Sequence, residues 1–108
     1  MSIDIGAILE TAVNAAANAV KQTAPQVEDF LREIGRGHED AIKAVAEAFA
    51  SGDIEEETFK SEMDDEAKTL EAELQAVAVL SKAIAQRAIN AFQRALMNGI
   101  KAAIATVI

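Results

Sequence analysis

The sequence predicts an all-α fold: a long antiparallel helical hairpin, its first arm broken near Pro25, associating into a helical bundle. Three observations predict it. Apolar residues recur at three- and four-residue spacing along nearly the whole chain, the period of one helix face. One Pro and five Gly leave few points where a helix must stop. The clearest turn, residues 51–53, divides the chain into arms of matching length.

The first helix is expected over residues 2–22, with Ser2 as a cap. Ile5, Ile8, Leu9, Ala12, Val13, Ala16, Ala19 and Val20 share one side of its wheel. Their many alanines permit close helix approach. Thr23-Ala24-Pro25 interrupts the pattern, with Thr23 as a cap and Pro25 in the first turn of a new helix. That second helix, over 25–50, carries a narrow stripe through Val27, Leu31, Ile34, His38, Ala41, Ile42, Val45 and Phe49. Gly35 and Gly37 mark a soft spot, each costing about 1 kcal/mol relative to Ala inside a helix.

Gly52 ends the second helix and Asp53 caps the third. No Gly or Pro then interrupts the chain until Gly99, so one helix is expected over 54–105. Its first part has a thin stripe of Phe59, Met63, Ala67, Leu70 and Leu74. Its later part spreads apolar side chains over about half the wheel, through Ile84, Ile89, Phe92, Leu96 and Ile100. Each arm would be about 75 Å long at 1.5 Å per residue. Folding at Gly52 sets residue i near residue 105 − i, thin stripe on thin stripe and wide arc on wide arc. A compact three-helix bundle is the alternative, requiring the last helix to break near Ser81. Either way residues 1–108 read as a single helical domain.

A two-helix hairpin leaves part of a half-wheel uncovered. Ile5, Ile8, Ile89, Phe92, Leu96 and Ile100 are therefore the expected interface of a homo-oligomer, a dimer or higher. Charge is segregated in the same sense. Residues 24–74 hold 16 acidic and five basic side chains, whereas residues 75–108 hold four basic and no acidic ones. The acidic tip suits a basic protein partner. A net charge of −8 argues against nucleic acid, which needs a dominant positive field.

Chemistry-bearing residues are few. His38 is the only imidazole, and the pairing rule puts Glu66 opposite it. The bland reading is a half-buried polar pair at a helix seam; the sharper one is a pH switch. Copies in an oligomer that gathered His38 with Glu62 or Glu66 would make a carboxylate–histidine metal site, the weakest of the readings. No Glu-x-x-His pair supports it. Without a metal or cofactor signature, none is assigned. The run Glu55-Glu56-Glu57 lacks the alternating ligands of a calcium loop and suits a helix start. With one His, no Cys and no Gly-rich loop, no nucleophile, base and oxyanion set assembles, so an enzyme is not expected.

Lys82, Arg87, Arg94 and Lys101 could meet an anionic membrane, with Ile84, Phe92, Leu96 and Ile100 inserted. The absence of Trp and of any basic cluster makes ordinary solubilising charge the preferred reading. Gln93 is expected to face away from the main seam. Met1 to Gly6 carries no basic cluster, so a cytoplasmic location is expected, with signal-less export left open. The turn lacks the Trp-x-Gly of small secreted hairpin proteins and the prolines of type III secretion needle subunits, and no family is assigned. The expected role is that of a non-enzymatic, self-associating scaffold or adaptor.

Overall fold

A computed structural model describes residues 4–20, 24–78 and 81–107. The expected caps Ser2 and Thr23 lie outside the described residues. Four helices follow one another: α1 (Ile5–Ala19), α2 (Ala24–Ala50), α3 (Glu56–Ala78) and α4 (Lys82–Val107).

Local chemistry accounts for the ends. Asp4 caps α1, its carboxylate accepting the Ala7 N–H at 3.1 Å. Pro25 occupies the first turn of α2, where its missing N–H is not needed. Gly52 closes α2 at a φ of 85°. The Asp53 N–H reaches the Ala48 carbonyl at 2.9 Å and the Gly52 N–H reaches Phe49 at 3.2 Å. Those two bonds define a Schellman ending, which requires a left-handed residue at this point. Asp53 thus serves the end of α2, and α3 begins later, with Phe59 N–H on the Glu55 carbonyl. Ser81 caps α4, its hydroxyl accepting the Ile84 N–H at 3.2 Å.

Each helix packs against its two neighbours around a square: α1 on α2 and α4, and α3 on α2 and α4. Cross-contacts fix the directions. Arg32 meets Glu10, His38 meets Glu66, Lys101 meets Glu56, and Gly99 faces Ile8. All four neighbouring pairs are therefore antiparallel, an up-down-up-down four-helix bundle.

The all-α bundle holds, but the extended hairpin does not. The molecule measures 39 × 21 × 19 Å, about half the length of the expected arm. The last helix is two helices, and the bundle has four rather than three. The register of the expected hairpin survives: α1 lies along α4, and α2 along α3. What changes is that the hairpin is bent double at two matching heights, after Val20 and before Ser81. Bending sets the wide arc of α4 against the rest of the same chain, and burial of that arc outweighs two extra helix ends. α2, by contrast, runs unbroken through Gly35 and Gly37.

The core is apolar throughout, with no buried polar or charged residue among those described. Phe59, Phe92, Leu31, Ile42, Met63, Leu70, Leu74, Leu96 and Ile100 are fully buried. At the turn end Phe49 and Phe59 stack with ring centroids 4.4 Å apart. Ala41, expected in the stripe of α2, is exposed, and Ala46 is buried in its place.

Candidate functional site

α2 and α3 run side by side, and the half-buried His38 stands midway along α2. Its Nδ1 lies 2.9 Å from Glu66 Oε2, and its Nε2 lies 3.0 Å from Glu73 Oε1. Glu66 and Glu73 are seven residues apart, so they rise from the same face of α3 two turns apart. The imidazole is the one polar bridge between two turns of one helix and the middle of the other among the described side-chain contacts.

The two carboxylate partners favour the charged ring. A carboxylate only accepts hydrogen bonds, and a neutral imidazole has a single N–H. Satisfying both carboxylates requires both ring nitrogens to donate, which is the imidazolium. Burial works against that charge, but hydrogen bonds and charge from Glu73 and then Glu66 outweigh it and hold the ring above its ordinary value of 6.5. The two nitrogens point away from each other at different carboxylates, so this arrangement does not converge on one cation. No group of three or more His, Cys, Asp or Glu among the described residues could hold a metal ion.

The six residues expected at an oligomer interface lie within the chain. Ile5 and Ile89 are 2% and 4% exposed, and Phe92, Leu96 and Ile100 are fully covered. Ile8 is half-buried against Gly99 of α4. Their surplus apolar perimeter, the premise of the expected assembly, is spent inside one bundle. The membrane reading meets the same obstacle: Phe92, Leu96 and Ile100 point inward and Ile84 is half-buried. Lys82, Arg87 and Arg94 are exposed, while Lys101 Nζ donates to Glu56 Oε1 at 3.0 Å. No helix among the described residues is long and apolar enough to cross a membrane.

Besides the Lys101–Glu56 pair, three polar contacts are not evident from the sequence. Glu73 is one, two turns beyond Glu66, the residue the pairing rule sets opposite His38. Arg32 is another: its guanidinium donates to Glu10 of α1 at 2.6 Å and to Glu28 at 2.8 Å. That pairing lowers the Glu10 pKa, chiefly through the hydrogen bond, and raises that of Arg32. An α1–α2 hairpin hinged near residue 22 would have placed residue 10 opposite 32–34, but the expected topology set α1 against α4 alone. Gln93 is the third. It turns inward, its Nε2 3.4 Å from Asp64, leaving its buried Oε1 without a partner.

Open grooves lie beside Arg32 and, separately, near the 51–53 turn. One, of about 210 Å³, runs between α1 and α2 past Leu9, Val13, Arg32 and Gly35. The other, of about 440 Å³, lies beside Ala44, Ala48 and Ser51 near the turn. Neither contains His38. The fold and site thus define a small four-helix bundle whose one imidazole is taken up by an inter-helix bridge. No family model matches the chain, and no curated protein or solved structure matches it.

Proposed function

We propose that this protein is a non-enzymatic adaptor that offers its α2–α3 layer to a basic protein partner. Charge segregation carries the reading. α2 holds six acidic and three basic side chains and α3 eight and two, whereas α4 holds four basic and none acidic. Asp40, Glu62 and Asp65 are among the exposed acids of this layer. A bundle with one strongly negative side orients an approaching cationic surface and accelerates its encounter. The non-enzymatic part is supported by the engagement of His38, the one imidazole of the sequence, with two carboxylates.

Self-association through Ile89, Leu96 and Ile100 is no longer part of the reading, because those side chains are used in the core. The test is binding of a lysine-rich peptide, followed by calorimetry at low and high salt. Light scattering at tens of micromolar runs alongside. Binding should weaken as salt rises and should fall markedly in Glu62→Lys/Asp65→Lys. No binding at low salt, or equal binding by the charge-reversed protein, overturns the proposal. A dimeric or larger mass would return the scaffold role to first place.

A further inference from the structure

We propose that His38 is a proton-dependent clamp: as an imidazolium it ties α2 to two turns of α3 through Glu66 and Glu73, and on losing its proton it must release one of them. Contacts of 2.9 and 3.0 Å to two acceptor-only groups consume an N–H on each ring nitrogen. Deprotonation leaves one nitrogen lone pair facing a carboxylate at hydrogen-bond distance, a repulsive contact. It also strips the only cation from between Glu66 and Glu73, on a helix whose eight acids already outnumber its two lysines.

Among the described residues, the charged side chains that contact the ring are the two carboxylates. From α3 the groups facing the ring are Glu66 and Glu73. One turn away on α2 are Ile34 and Ile42, both buried. In α1, Asp4 is engaged at its own helix start and Glu10 by Arg32. In α4, Lys101 is held by Glu56, and Lys82, Arg87 and Arg94 are exposed. The charges acting on the imidazole are those of the two carboxylates.

The sign follows from linkage. A basic group whose pKa rises on folding stabilises the fold fully below its unfolded value, here 6.5. That contribution is lost as pH climbs through the higher folded value. The bundle therefore tightens its α2–α3 layer in mild acid and loosens it in mild base, with no other imidazole to offset the change.

The experiment is an NMR titration of His38 in the full chain, with thermal unfolding followed over the same pH range. The titration midpoint should lie above 6.5 and should fall in Glu66→Gln and in Glu73→Gln. The ring 15N shifts should show both nitrogens protonated on the acid side. Tm should fall with rising pH more steeply in the native protein than in His38→Gln, which keeps one donor and cannot titrate. A midpoint at or below 6.5, a midpoint indifferent to Glu73→Gln, or equal Tm slopes with and without His38 overturns the clamp. If His38→Gln fails to fold, the native and Glu73→Gln titrations decide alone, since Glu73 is 42% exposed and its replacement leaves the core intact.

Discussion

Across the α1–α4 pair buried alanines lie among the large apolar side chains, whereas across α2–α3 large side chains are joined by a charged bridge. Ala12, Ala16, Ala85 and Ala88 are fully buried in the first pair. There Ile8 sits so close to Gly99 that an added Cβ would lie 2.7 Å from its Cγ2. The second pair contributes Leu31, Ile42, Phe59, Met63, Leu70 and Leu74, together with the His38 bridge. One layer is thus set by steric fit and is indifferent to pH and salt. The other adds electrostatic contacts that solution conditions can switch. The two layers are halves of one hairpin, and each half is the partner that the other half needed.

The largest effect should come from emptying the shared core. Leu96→Ala is expected to cost about 2–5 kcal/mol, as buried Leu truncations do. Its concentration dependence separates two explanations of the same loss. If Leu96 packs within one chain, the fall in Tm is the same at every protein concentration. If Leu96 belongs to an interface between copies, the native Tm rises with concentration and the variant's deficit varies with it. Chemical unfolding and calorimetry over a hundredfold dilution series would measure both.

That distinction matters because the apolar arcs were legible in the sequence and the bend that covers them was not. Phe59, Met63, Leu70 and Leu74 on a thin stripe, and Ile89, Phe92, Leu96 and Ile100 on a wide one, can be read from helical periodicity. So can the left-handed ending at Gly52. The break before Ser81 has no Gly or Pro to announce it, only a serine hydroxyl that becomes a cap once the helix has already stopped. Propensity favours continuing there; burial of a half-wheel favours stopping, and burial is a tertiary term invisible to a local pattern. The candidate site divides in the same way. Antiparallel register puts Glu66 near His38, but Glu73 is reached only because an imidazole has acceptor-facing nitrogens on opposite edges.

A pair of glycine substitutions sharpens the contrast between steric fit and open surface. In Gly99→Ala the new methyl meets Ile8 Cγ2 at 2.7 Å, a contact at the base of a β-branched side chain whose Cβ lies 3.6 Å away. Overpacking of about 1–3 kcal/mol should exceed the gain of about 1 kcal/mol in helix propensity, so the variant is destabilised. Adding Ile8→Ala should remove the clash and make the two changes strongly non-additive. Gly37→Ala has nothing within 4 Å of its Cβ and sits mid-helix, so it should stabilise by about 0.5–1 kcal/mol. Opposite signs from the same chemical change would locate the close approach at the α1–α4 contact. Stabilisation by Gly99→Ala would remove it.

The smallest effect distinguishes two kinds of charged contact. Arg32 forks between Glu10 and Glu28 on the outside of the α1–α2 seam, with Glu10 half exposed. Such a pair is screened by salt and offset by the entropy of holding long side chains in one geometry. Glu10→Gln should therefore lower Tm slightly at low ionic strength and leave it unchanged at about 1 M salt. The Glu66 arm of the His38 bridge differs because the imidazole is 20% and Glu66 23% exposed, so fewer counter-ions and waters compete for it than for the Glu73 arm, where the carboxylate is 42% exposed. The pH dependence assigned to His38 should persist at high salt while the Glu10 effect disappears. If both vanish together, the bridge behaves as an ordinary surface ion pair, and α2 and α3 are joined by packing in the same way as α1 and α4.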